Sequence, residues 1–252
     1  MRTLVLQSNR LYGQVIGEIM RGICEPVELV VCDRAREALK IMRIAPVALA
    51  LVGVDIPDLD GMDYIPGLIG SKLSVHTIIL TERTDNRTIS ALRWLTYDGF
   101  VDATSAGSED LCTALRCVME GKRYTSMSLA DRNSEPGFSK QPRLSHHEEA
   151  ILSLLGEGLD DEDAADRLQL APRTVESHRC RIMHKLNLHH KGELIDYAMA
   201  NLYVRRSSEG ILHPGFEGTL REARGDNQPV VEFERVAART EPDSALALTG
   251  CR

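Results

Sequence analysis

The first 120 residues alternate short apolar runs with longer amphipathic stretches. Five apolar runs predict buried strands, at residues 3–6, 28–31, 47–52, 77–80 and 100–101. The stretches that follow them have apolar positions at helical spacing, at residues 11–20, 34–42, 62–69, 88–95 and 111–119. Continuous apolar runs are typical of strands covered on both faces. Residues 1–120 are therefore predicted to form an α/β domain with a doubly wound parallel sheet.

The pattern changes after residue 120. Residues 121–143 lose the periodicity and gain Ser, Pro, Lys and Arg, which indicates a linker. From Leu144 every segment is helical, and Ser145 with Glu148 has the spacing of a capping box. Two helices joined by a short break predict a helix-turn-helix unit over residues 144–204.

The last part of the chain, residues 205–252, is rich in Gly, Arg, Glu and Pro. Residues 230–236 have the composition of a strand, but no neighbouring segment offers a partner strand. We therefore expect a flexible tail from residue 205 onward.

Charge first argues against a nucleic-acid partner, because the chain carries a formal net charge of -7. The distribution of charge changes that interpretation. All eight charged residues between positions 148 and 166 are acidic, whereas five of the six between 173 and 191 are basic. The third helix of the C-terminal unit is thus a basic surface on an acidic protein.

Other classes of protein find little support in the sequence. The apolar run at residues 46–54 is far shorter than the roughly 20 residues of a membrane-spanning helix, and the N-terminus turns polar too early for a signal peptide. We expect a cytoplasmic protein with no membrane partner. The six cysteines are scattered, and the paired histidines are not spaced to converge on a metal, so reduced thiols and no metal site are expected. The chain shows neither a nucleophile triad nor a phosphate loop, so no enzyme and no cofactor are predicted.

The basic helix has a defined inner face. Val175, Ile182 and Leu186 recur at helical spacing and should face the core of the unit. The residues left pointing outward are Arg173, Glu176, Ser177, Cys180 and Arg181. Such a helix can enter a DNA major groove, where Glu accepts from cytosine and Arg binds guanine or phosphate.

Several motifs in fixed order resemble a known family. Leu144-Ser145-x-x-Glu148, Glu157-Gly158-Leu159, Ala165-x-x-Leu168, Thr174-Val175-Glu176-Ser177-His178 and Lys185-Leu186 are similar to the LuxR-type helix-turn-helix of NarL/FixJ response regulators. The resemblance covers about residues 143–203. It implies base-facing roles for Glu176, Ser177 and Cys180. It also implies phosphate or backbone support from Arg173, Thr174, His178 and Lys185, and dimer contacts from Leu194, Ile195 and Ala198.

Two departures from the family pattern predict modest and strongly salt-dependent affinity. An acidic residue, Glu162, stands where the family has a basic one, and Ala171 stands at the N-cap before the third helix. A missing N-cap costs about 1 kcal/mol. His178 is equally compatible with a packing role inside the unit.

With that match, the α/β half resembles the flavodoxin-like receiver domain of response regulators, and residues 56–61 look like the loop that follows its third strand. The residues of its phosphorylation pocket are largely missing. Gln7 and Ser8 stand where the resemblance implies an acidic pair for Mg²⁺, Gly53 where the nucleophilic Asp belongs and Ala103 where the Lys belongs, and only Thr81 remains. Asp55 lies about 6.6 Å further along the strand, and Asp58 follows in the loop, so either stays open as a substitute acceptor.

These observations lead to one prediction and one alternative. The prediction is an atypical response regulator that binds double-stranded DNA as a homodimer, independently of aspartate phosphorylation. The alternative is a signalling adaptor with little sequence-specific DNA binding. The receiver-like domain either serves only for dimerisation, without an input, or takes its input from a regulatory protein or small ligand. The face around residues 87–100 is the candidate surface for these contacts.

Overall fold

The computed structural model describes residues 1–83, 85–104, 107–128, 130 and 144–223. Its N-terminal half alternates strands with helices. The strands are β1 (Arg2–Leu6), β2 (Glu28–Cys32), β3 (Val47–Gly53), β4 (Ser74–Thr81), β5 (Gly99–Asp102) and β6 (Tyr124–Thr125). The helices are α1 (Arg10–Cys24), α2 (Ala35–Ile44), α3 (Gly61–Gly70), α4 (Asn86–Leu92) and α5 (Ser108–Met119).

All six strands pair in parallel, in the order β2-β1-β3-β4-β5-β6. Apolar side chains are buried on both faces of the sheet, because successive residues of a strand point to opposite sides. The doubly wound, receiver-like fold expected from the sequence is confirmed. Strand order reverses between β1 and β3, and a crevice at the carboxyl ends of such strands is where α/β sheets place their sites.

The strand β6 corrects the predicted linker. Tyr124 pairs with Gly99 and Thr125 with Phe100, so the sheet extends past residue 120. A strand of two residues is too short for its periodicity to be visible in the sequence. The rest of the predicted linker, from residue 131 to 143, lies outside the described residues.

The second unit contains α6 (His146–Glu157), α7 (Asp161–Leu168), α8 (Pro172–Leu186) and α9 (Lys191–Ala200). The predicted capping box is present, since Ser145 accepts from the backbone of Glu148 while the Glu148 carboxylate accepts from the backbone of Ser145. Gly158 ends α6 with φ of 106°, a conformation that favours glycine. None of the helices in the described part of the chain is long and apolar enough to cross a membrane.

The expectation of a flexible tail from residue 205 is wrong for residues 205–223. They form an antiparallel hairpin of β7 (Arg205–Ser207) and β8 (Gly210–Leu212), followed by α10 (Glu217–Ala223). Phe216 and Leu220 are 2% and 1% exposed because they pack into the core of the helical unit. Residues 224–252, including the possible strand at 230–236, lie outside the described residues.

Candidate nucleic-acid interface

The helix α8 presents the outward face that its sequence predicts. Val175 and Ile182 are fully buried in the helical unit, and Leu186 packs against the same core. The residues exposed on the opposite side are Arg173, Thr174, Glu176, Ser177, Cys180 and Arg181. The Ser177 hydroxyl donates to the Arg173 carbonyl at 2.8 Å, so Ser177 can accept from a base without leaving its rotamer.

Arg179 does not join this exposed row. Its guanidinium donates to both carboxylate oxygens of Asp161 on α7, at 2.9–3.1 Å. A two-pronged pair of this kind fixes the plane of the guanidinium. Arg179 therefore links α8 to α7. Its positive charge, one of those on the basic helix, is neutralised by Asp161 at the start of α7.

Lys185 forms an ion pair within the helical unit. Its ammonium lies 2.8 and 2.7 Å from the two carboxylate oxygens of Glu148, whose side chain is 5% exposed. Burial alone would raise the pKa of Glu148, but hydrogen bonds from Lys185 and Ser145 hold it below its ordinary value. This ion pair joins α8 to the start of α6, and the phosphate contact implied for Lys185 stays a prediction.

His178 is half-buried, and its Nδ1 atom is enclosed without a hydrogen-bond partner among the described residues. Of the two roles considered for His178, this environment favours packing between helices over phosphate contact.

The residues expected to form a dimer contact on α9 lie mostly inside the unit. Leu194 and Ala198 are fully buried, and only Ile195 of the three is partly exposed. Their apolar face packs on α6, where Gly156 leaves room for the methyl group of Ala198. The exposed positions of this helix include Lys191, Asp196 and Met199.

The carboxyl edge of the receiver-like sheet is filled by protein side chains. A Cβ atom on Gly53 would lie 3.0–3.2 Å from the amide of Gln7, so that amide occupies the space beside the strand end. The Gly53 carbonyl accepts a hydrogen bond from the buried Tyr64 hydroxyl. Thr81 accepts from the backbone N–H of Arg83 at 3.0 Å. Ser8 is exposed and Ala103 is half-buried.

The three acidic residues of the loop after β3, Asp55, Asp58 and Asp60, already have partners. Asp58 accepts from the backbone N–H groups of Ala35 and Arg36 at 2.9 and 3.0 Å and so caps α2. Asp55 and Asp60 both pair with the guanidinium of Arg83, whose side chain is 4% exposed. A hard dication needs free carboxylate oxygens. The residues present do not fit the Mg²⁺ ion of a phosphorylating receiver.

Comparison with known sequences identifies the C-terminal unit. The family of bacterial regulatory proteins, luxR family, matches residues 142–198. The protein BvgA of Bordetella pertussis is 30% identical over 196 residues, covering 75% of this chain and 86% of BvgA. The chain belongs to the luxR family of bacterial regulatory proteins.

A response regulator and a solved structure also align with more than half of the chain. The response regulator UvrY of Escherichia coli K12 is 27% identical over 169 residues, covering 65% of this chain and 77% of UvrY. Among solved structures, RcsB of Salmonella enterica serovar Typhimurium bound to promoter rprA has a TM-score of 0.56 at 20% identity, covering 79% of this chain and 99% of RcsB. At that identity the likeness supports the fold, a receiver-like sheet followed by the luxR-type helical unit.

The sequence did not single out two arginines of this luxR-type protein, Arg83 and Arg205. Arg205 lies on the hairpin, beyond the family match, and donates to Asp60 at 2.9 Å. Arg83 follows Thr81 by two positions at the end of a strand, and the loop after the neighbouring strand is acidic. This arrangement could have indicated Arg83 as a partner for the acidic residues. No local pattern marks Arg205, because its partner is 145 residues away along the chain.

Proposed function

We propose that this protein is a DNA-binding transcription regulator, that it works as a homodimer, and that its receiver-like domain acts without aspartate phosphorylation. The observation that carries the proposal is the exposed row on α8, which the receiver-like domain leaves uncovered. A luxR-type helical unit with an open third helix is suited to a major groove. The role is regulatory rather than enzymatic, and the proposed location is the cytoplasm.

The chemistry of the row sets how DNA would be read. Arg173 and Arg181 are exposed cations that suit guanine or phosphate oxygens, and Glu176 can accept from a cytosine amino group. Arg179 and Lys185 are engaged by carboxylates. Fewer free cations mean fewer released counterions, since each phosphate contact contributes about -0.9 to the slope of log affinity against log salt. We therefore expect modest affinity, with a shallower salt slope for each subunit than the sequence alone predicts.

Independence from phosphorylation rests on the environment of the former pocket. Gly53 offers no carboxylate, Asp58 is used in capping α2, and Asp55 is paired with Arg83. Phosphorylation of either aspartate would break contacts that hold the loop after β3. The input is instead proposed to be a protein or small ligand at the receiver-like domain.

Selection of bound fragments from random DNA tests the proposal, with the full chain at several salt concentrations. We expect a defined half-site, and we expect Arg181→Ala and Glu176→Ala to relax preference at separate positions, each by about 1–3 kcal/mol. Arg21→Ala removes an exposed charge from the receiver-like domain and serves as the matched control. Recovery of no preferred sequence would overturn the proposal.

The second candidate is a signalling adaptor, and the acidic surface of α7 favours it. Glu162, Asp163 and Asp166 are exposed beside α8 and would repel phosphates. Arg87, part of the face first considered for a partner, contacts the protein's own helical unit, whereas Trp94 remains 77% exposed. Loss of all DNA binding near physiological salt, with a protein partner captured through Trp94, would favour the adaptor.

A further inference from the structure

A segment that runs from the end of α9 through the hairpin contacts both units. We call residues 202–217 the clasp. Arg87 of α4 inserts into it, donating to the carbonyls of Leu202 and Pro214, each at 2.7 Å. The guanidinium also lies 4.1 Å from the centre of the Tyr203 ring. One receiver-like side chain thus binds both ends of the clasp.

The hairpin makes a second attachment at the carboxyl edge of the sheet. Arg205 donates to Asp60 at 2.9 Å and to the Ile56 carbonyl. Ser207 donates to the Pro57 carbonyl at 2.9 Å. Since the Asp60 side chain is fully buried, this ion pair is enclosed. The clasp therefore packs against residues 56–60, the loop that follows β3.

The clasp is anchored equally well in the helical unit. Ser153 of α6 donates to the Tyr203 carbonyl at 2.9 Å and lies 2.6 Å from Nδ1 of His213. The other ring nitrogen of His213 lies 3.3 Å from Glu157. These buried contacts make the clasp part of the helical unit, so its docking on the receiver-like domain fixes the two units together.

Asp63, in the first turn of α3, lies at the centre of this interface. One carboxylate oxygen accepts from the backbone N–H of Glu217 at 3.2 Å. The other is buried without a hydrogen-bond partner among the described residues. An unpartnered buried oxygen is costly when it carries charge, and the cost disappears when that oxygen holds a proton.

The charged groups around Asp63 come from each element packed against it. Two are carboxylates, Asp60 at the start of α3 and Glu217 at the start of α10. Arg87 reaches in from α4, but its hydrogen bonds go to the carbonyls of the clasp. Glu149 of α6 faces Arg87 and accepts from the Tyr203 hydroxyl. Burial is the largest influence on the pKa of Asp63, and the backbone N–H groups of Gly215 and Glu217 act against it by lowering that pKa. Asp60 is itself paired with Arg83 and Arg205.

We propose that residues 202–217 are a proton-linked clasp, which takes up a proton at Asp63 when it closes on the receiver-like domain and so joins the two units more tightly as pH falls. The proposal concerns the contact between the units and does not depend on DNA binding.

The direction of the linkage follows from the closed state. Burial, then the neighbouring Asp60 carboxylate, raise the pKa of Asp63 well above its ordinary value of 3.8, although the backbone N–H groups of Gly215 and Glu217 lower it. In the open state the side chain returns to water and to its ordinary pKa. Closure is thus fully favoured below the ordinary pKa and weakens as pH rises through the raised one. Burial also raises the pKa of Glu149, which acts in the same direction.

Hydrogen exchange of the full chain, without DNA, tests this proposal. The amides of β7 and β8 report closure, and the amides of β3 report folding of the receiver-like domain in every variant. Asp63→Asn replaces the protonated carboxyl by a neutral amide whose NH₂ group can donate to Asp60 or Glu217. Asp196→Asn is the control, because that side chain is exposed on α9. Comparison at equal pH cancels the intrinsic rates.

We expect protection of the hairpin in the native chain to fall relative to Asp63→Asn by up to about tenfold per pH unit between the ordinary pKa of Asp63 and its raised pKa, and to level off at higher pH. Asp196→Asn should follow the native chain. Arg87→Met should lower hairpin protection while β3 stays protected. Parallel behaviour of the native chain and Asp63→Asn across the pH range, or unchanged hairpin protection in Arg87→Met, would overturn the proposal.

Discussion

Gly156→Ala tests the placement of Ala198 inside the helical unit rather than at a dimer contact. Gly156 lies where α6 crosses α9. A Cβ atom at this position would lie 2.4 Å from the Cβ of Ala198 and 3.0 Å from Cγ2 of Val204. The Cβ of Ala198 is bonded to the backbone and cannot rotate away. The two helices would have to separate to admit the new methyl group.

The expected magnitude combines two opposing effects. Replacing glycine by alanine inside a helix gains about 1 kcal/mol of intrinsic propensity. Forcing a methyl group into a packed core costs about 1–3 kcal/mol, and a backbone-bound neighbour places the cost at the upper end. We therefore expect a net loss of about 1–2 kcal/mol in the free energy of unfolding. Gly192→Ala is the matched control, because an added Cβ there meets nothing within 4 Å.

Urea denaturation of the full chain, followed by far-ultraviolet circular dichroism, measures the effect. The double variant Gly156→Ala/Ala198→Gly restores the space, so we expect a favourable coupling of more than about 0.5 kcal/mol between the two changes. Sedimentation of the same samples reports the oligomeric state. Unchanged stability of Gly156→Ala together with a dissociated dimer would show that Ala198 lies at a subunit interface and would refute the reasoning.

Two further predictions follow from the ion pair on α8 and from the filled pocket. Lys185→Ala leaves the buried Glu148 carboxylate without its cation, so we expect the free energy of unfolding, measured by urea denaturation, to fall by about 2 kcal/mol. We expect no change in the salt dependence of DNA binding. A shallower salt slope with unchanged stability would instead show that Lys185 contacts phosphate. Gly53→Asp brings a Cβ to 3.0 Å from the Gln7 amide and supplies no second acid for Mg²⁺. We therefore expect no phosphoryl group on this variant after incubation with a small phosphodonor. A mass spectrum of the intact protein that shows an added phosphoryl group would contradict this.

Local patterns were sufficient for most of the fold. The buried strands have continuous apolar runs, and the capping box at Ser145 fixes the start of α6 from only four residues. Both signals are confined to neighbouring positions, which is why sequence reasoning could predict them. The outward face of α8 was predicted for the same reason, since Val175 and Ile182 define its inner side.

The features that local patterns did not reveal depend on contacts between distant segments. Arg205 and Ser207 have a polar sequence typical of a loop, and they form a strand whose side chains find their partners in the receiver-like domain. Leu194 and Ala198 are apolar whether they face the protein core or a second subunit, so the pattern alone could not decide between these places. Lys185 likewise could bind a phosphate or a carboxylate, and its pairing with Glu148 becomes visible only in the folded structure.

The contact of Arg87 with the clasp has a consequence for the tolerance of this junction to substitution. Its two hydrogen-bond partners are the backbone carbonyls of Leu202 and Pro214. Every amino acid carries such a carbonyl, so the identity of the residue matters little there. The αL conformation of Leu202, with φ of 54°, suits asparagine or glycine at least as well. A mutational scan should therefore find glycine, asparagine and other residues without a β-branch permitted at position 202, and almost none permitted at position 87.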